Sequence, residues 1–80
     1  MHEIHLLKDL LADVLKAAEE NKAKKVTKVY LRMGEFTEIN PEILKHFFAE
    51  NSKGTMVEGA DISIESSQAR ELRLLSIDCE

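Results

Sequence analysis

An apolar repeat of three and four residues opens the chain and constrains its fold more than any other feature. From Ile4 to about Asn21 the apolar positions are Ile4, Leu6, Leu7, Leu10, Leu11, Val14, Leu15, Ala17 and Ala18. The recurrences 4, 7, 11, 14, 18 and 7, 10, 14 trace one broad stripe on an α-helix. Lys8, Asp9, Asp13, Lys16, Glu19 and Glu20 fall on the opposite side. A stripe this wide needs a second layer to cover it, so the rest of the chain must supply a matching apolar face.

Val26 to Met33 has the right pattern for that face. Val29, Leu31 and Met33 alternate with Lys28, Tyr30 and Arg32, which is the period of a half-buried strand, and Gly34 ends it. Asn40-Pro41-Glu42 then starts a second helix. Asn40 can cap its free amides, and Pro41 at the first helical position forfeits no hydrogen bond. Ile43, Leu44, Phe47 and Phe48 form the apolar face of this helix, which runs to about Asn51. Two strand-like runs follow, Ala60 to Glu65 and Glu71 to Cys79, joined by Ser66-Ser67-Gln68-Ala69-Arg70.

The order helix, strand, helix, strand, strand predicts an α/β (α+β) domain. Two helices pack on one face of a small three-stranded sheet, and the short linker makes the last two strands an antiparallel hairpin. The last strand carries Leu72 and Leu74 on one face but Leu75 and Ile77 on the other. Either a bulge turns both pairs inward, or an exposed pair marks a homodimer or strand-swapped assembly. Eighty residues make one domain, residues 1–80, which buries only about 60–65% of its unfolded surface.

Composition excludes several functions. Eleven basic against fifteen acidic residues give a net charge of −4, which argues against nucleic acid as a partner. No apolar run approaches the roughly 20 residues of a membrane span, and no signal peptide opens the chain, so a cytoplasmic location is expected. The single Cys79 excludes an internal disulfide and a cysteine-based zinc site within one chain. An enzyme is the weakest reading, because Glu35, Glu38 and His46 are scattered and no nucleophile or glycine-rich loop accompanies them. His46 sits beside Phe47 and reads as structural.

The opening Met1-His2-Glu3-Ile4-His5 carries the chemistry. A histidine in second position puts the terminal amine, its own backbone amide and its imidazole in one chelating sequence. Amine to amide closes a five-membered ring, and amide to imidazole a six-membered one. The Glu3 amide is a candidate for the fourth nitrogen of a square that suits Ni(II) or Cu(II). Such binding displaces protons and weakens in acid. His5 is either a solvent-facing residue of the first helical turn or an axial or relay ligand.

Beyond these residues, Met1-His2-Glu3, Lys24-Lys25-Val26, Met33-Gly34-Glu35, Gly54-Thr55, Glu58-Gly59-Ala60-Asp61 and Glu71 to Ile77 resemble, in order, the HypA family of nickel-incorporation proteins. The resemblance implies a metallochaperone for [NiFe]-hydrogenase maturation, and in some bacteria for urease. It implies a HypB-type GTPase and a hydrogenase large subunit as partners, and Ni(II) as the bound metal. The ligand residues it implies are Met1, His2 and Glu3, with His5 an addition few members have. Some members add a carboxylate from the loop before the second helix. The matching position here is the neutral Asn40, with Glu38 nearby. Family members also carry a zinc ribbon between the last two strands, and here residues 66–70 replace it, so no zinc is expected. That replacement fits an engineered deletion or a natural short form. The alternative to a nickel carrier is a metal-independent module that docks HypB or a hydrogenase subunit, or self-associates.

Overall fold

The computed structural model describes residues 3–80, and Met1 and His2 lie outside it. The elements follow the expected order: α1 (Ile4–Glu20), β1 (Val26–Met33), α2 (Pro41–Asn51), β2 (Asp61–Ser66) and β3 (Leu72–Cys79). Leu7, Leu10, Leu11, Val14 and Ala18 of α1 are buried, as the stripe requires. They share one core with Val26, Val29, Leu31 and Met33 of β1 and with Leu44 and Phe48 of α2. Each such side chain contributes about 1.5–3 kcal/mol by leaving water. Asn40 caps α2 as its sequence predicts: its Oδ1 accepts the Ile43 amide at 2.9 Å, and Pro41 occupies the first turn. Among the described residues, no helix is long and apolar enough to cross a membrane.

The sheet departs from expectation in one respect. β2 and β3 are not a hairpin; the strand order is β2-β1-β3, and both pair with β1. β2 runs parallel to β1, with Val29 opposite Ile62 and Leu31 opposite Ile64. β3 runs antiparallel, with Val29 opposite Ile77 and Met33 opposite Leu72. The central position falls to β1 because it alternates most cleanly, with four buried apolar side chains among its eight residues. Strands flanking a third lie only about 10 Å apart. Five linker residues can bridge that gap, so linker length did not distinguish a hairpin from a crossover. The strand–helix–strand order of β1, α2 and β2 was the better signal, since a helical crossover returns a strand parallel to the first.

Of the two alternatives for β3 the structure holds the bulge, and it turns Ile77 but not Leu75 inward. Register shifts between Tyr30 and Leu31, whose partners are Ser76 and Leu74, leaving Leu75 unpaired. Leu72, Leu74 and Ile77 thereby all pack against the core. Leu75 stays outside at 40% exposure, a single residue rather than the exposed pair that would argue for self-association.

The crossover passes directly over the end of β1. Gly34 N–H donates to the Glu71 carbonyl at 2.7 Å, and Ser67 N–H donates to the Met33 carbonyl at 3.0 Å. A Cβ on Gly34 would lie 1.6 Å from the Ala69 carbonyl oxygen, so only glycine fits. Gly34 therefore does more than end a strand: it admits the linker that carries Arg70.

Candidate metal centre

Glu3 is the one described member of the expected ligand group with a built environment. It is the N-cap of α1, but its side chain makes no capping bond to that helix. It turns instead to the loop between β1 and α2. Its Oε1 accepts the Glu38 amide at 2.5 Å, and its Oε2 accepts the Thr37 hydroxyl at 3.3 Å and the Thr37 amide at 3.4 Å. The Arg70 guanidinium, donated from the crossover, completes the set on Oε2. The exchange is reciprocal, because Glu3 N–H donates to Glu38 Oε1 at 2.8 Å.

The partners explain how a carboxylate survives burial here. The Glu3 side chain is only 5% exposed, whereas its partner Arg70 remains 65% exposed. Burial alone pushes the carboxyl pKa up. The amides of Glu38 and Thr37, the Arg70 charge and the Thr37 hydroxyl outweigh it and hold the pKa below the usual carboxylate value. Arg70 also lies over the Phe36 ring, 5.4 Å from its centroid. One guanidinium thus joins the crossover to the start of α1 and to the loop between β1 and α2.

This geometry fixes what Glu3 can do. Its carboxylate is fully engaged, so the side chain stabilises the junction rather than standing free. The residues ahead of it, Met1 and His2, lie outside the described part of the chain. His5 is exposed on α1, and His46 is exposed on α2 rather than part of the core. No group of three or more His, Cys, Asp or Glu side chains converges on a metal position among the described residues. The Asn40 side chain is occupied in capping. Cys79 is exposed at the end of β3. Thr37 and Arg70 had no signal in the sequence, since both reach Glu3 across more than thirty residues of chain.

A family model described as hydrogenase/urease nickel incorporation, metallochaperone, hypA matches residues 1–74. The chain belongs to the HypA family. It is 46% identical over 72 residues to the hydrogenase maturation factor HypA of Archaeoglobus fulgidus, a match covering 88% of this chain and 66% of that one. It is 43% identical over 65 residues to the factor of Methanopyrus kandleri, covering 81% and 46%. The HypA of Aquifex aeolicus is 33% identical over 79 residues, covering 99% and 66%. This HypA-family chain therefore spans at most about two thirds of those relatives. Its fold matches the solution structure of the Ni metallochaperone HypA from Helicobacter pylori with a TM-score of 0.79. The match is at 19% identity over 99% of this chain and 97% of that one.

Proposed function

We propose that this HypA-family domain is a nickel carrier that binds Ni(II) at its free N-terminus and passes it on during [NiFe]-hydrogenase maturation. The terminal Met1 amine, the His2 amide and the His2 imidazole form the chelating core, and nickel is cargo rather than a resident cofactor. The observation that carries the reading is the anchoring of Glu3. Both its backbone N–H and its carboxylate are tied to the loop between β1 and α2, so the chain is anchored at the residue that follows the two donor-bearing ones. Family membership over residues 1–74 supports the same reading.

Handing on the ion is ligand exchange, not catalysis. A chelate built at a chain end can be dismantled one donor at a time by a receiving site, and acid releases the metal by reprotonating the donors. His5, the second residue of α1, is the candidate to assist release. A HypB-type GTPase and a hydrogenase large subunit are the proposed partners, with urease as a second client, and the cytoplasm is the proposed location. No zinc is part of this proposal, because residues 67–71 join β2 directly to β3.

The test is one added glycine before Met1 in the untagged protein. It moves the amine out of the five-membered ring and leaves residues 3–80 untouched. Nickel binding lost with an unchanged melting temperature supports the terminal chelate. Equal affinity in the extended and parent chains refutes it.

A further inference from the structure

We propose that the free edge of β3 pairs with β3 of a second copy of this chain, joining two sheets into one about a two-fold axis. Leu75 alone does not carry this; the backbone of the strand and the order of its side chains do. Among the described residues β3 is an edge strand, bonded only to β1. Leu72, Leu74 and Ile77 face the core but are only half-buried, whereas their partners on β1, Met33, Leu31 and Val29, are buried. A strand on the open edge would cover them. The edge also has its backbone groups in place. Gly34 N–H donates to the Glu71 carbonyl, and Glu80 N–H to the Lys25 carbonyl, so residues 71 and 80 both bond toward β1. The alternation of an antiparallel ladder then turns the N–H and C=O groups of Leu72, Leu74, Ile77 and Cys79 toward the free edge, with the bulge at Leu75 taking up the odd residue.

One register matches the whole strand to its own copy. Antiparallel pairing about an axis between Leu75 and Ser76 sets Leu72 opposite Cys79, Leu74 opposite Ile77 and Arg73 opposite Asp78, each on both sides of the axis. In the first two pairs residues with outward backbone groups meet one another and can exchange two hydrogen bonds apiece. They also share the core face, because Leu72, Leu74, Ile77 and Cys79 pair with Met33, Leu31, Val29 and Val26 of β1. The bulge makes this possible. In a regular strand residues three apart face opposite sides, and the extra residue returns Leu74 and Ile77 to one side. Arg73 and Asp78 fall between the bonded pairs, where opposed side chains come closest. Both are exposed. Arg73 faces the like-charged Arg32 across β1, and its ion pair with Glu71 is long, at 3.8 Å. Asp78 accepts the Tyr30 hydroxyl through Oδ2 at 2.7 Å, and a carboxylate has further lone pairs for a guanidinium. The other edge of the sheet offers no such match. β2 carries Asp61 and Glu65 but no base, and pairing centred on Ser63 would set those two acids against each other.

A charge swap tests the register. Arg73→Asp and Asp78→Arg each set like charges opposite one another when the variant pairs with itself, while a mixture of the two restores both opposite-charge pairs. The untagged full chain, each variant and the equimolar mixture are run by sedimentation equilibrium up to millimolar concentration, with Cys79 kept reduced and thermal unfolding recorded beside. The parent is expected to form a dimer that dissociates on dilution. Self-association of each variant should weaken at least about 10-fold, and the mixture should recover the association of the parent. Residues that only support the fold could not rescue one another across two chains. A parent that stays monomeric throughout overturns the proposal, as does a variant that dimerises as tightly as the parent or a mixture that gains nothing. Should a variant melt early, amide hydrogen exchange of the parent decides. Protection at Leu72, Leu74, Ile77 and Cys79 that rises with concentration supports the β3 seam; protection that rises along β2 instead, or nowhere, overturns it.

Discussion

Replacing Gly34 by alanine probes the junction on which the site depends. The new methyl carbon would sit 1.6 Å from the Ala69 carbonyl oxygen and 3.1 Å from the Glu71 nitrogen. Ordinary contact begins at 3.4 Å, so strand end and crossover must separate by well over an ångström. Two backbone hydrogen bonds hold them together, Gly34 to Glu71 and Ser67 to Met33, and both are strained or lost on separation. The Arg70–Glu3 pair rides on the same segment. At about 1 kcal/mol net for each backbone bond, plus the weakened ion pair, the cost is about 2–3 kcal/mol. A domain of this size is stable by only about 4–12 kcal/mol. The melting temperature should fall by about 10–20 °C. Gly54→Ala is the control: Gly54 has φ +80° but nothing within 4 Å of an added Cβ, so only backbone strain of about 1 kcal/mol enters. Thermal unfolding followed by circular dichroism compares the two variants. If Gly34→Ala melts with or above Gly54→Ala, close approach to Ala69 is not what demands glycine, and the account of the crossover fails.

Three further outcomes follow from the same structure. Phe48→Ala empties a buried site in the core between α2 and the sheet and should cost about 3–5 kcal/mol, read as a lower urea midpoint with an unchanged slope. Asn40→Ala removes the acceptor for the Ile43 amide and should cost about 1 kcal/mol, with no change at the N-terminal junction in amide chemical shifts. Glu3 has a lowered pKa in the folded state, so its ionised form contributes stability above the unfolded value of about 4.3. That contribution is lost as pH falls through the lower folded value. The melting temperature of the parent should therefore drop more steeply below about pH 4 than that of Glu3→Gln, and parallel curves would contradict the role given to Glu3.

Much of the architecture was legible because it is written in periodicity. The stripe of α1, the alternation of β1 and the Asn40-Pro41 start of α2 are local statements, and each element formed within a residue of its expected bounds. The bulge at Leu75 was readable only as one of two alternatives, since Leu74 and Ile77 face one core only if an extra residue stands between them. The pairing of β2 and β3 was not readable from their linker, because five residues reach either a neighbour or the strand beyond it. The order of amine, amide and imidazole on which the proposed chelate rests belongs to the sequence alone, since the ring sizes depend only on covalent connectivity.

What the chain order determined, then, is the set of elements, their apolar faces and the order of the donor groups at Met1 and His2. The tertiary structure decided that β1 lies between β2 and β3, that Gly34 admits the crossover, and that Arg70, Thr37 and Glu38 meet at Glu3. Those meetings join residues 34 to 67 positions apart. Local patterning cannot encode contacts at such separations, because they exist only after the core has packed and brought the ends of distant elements together.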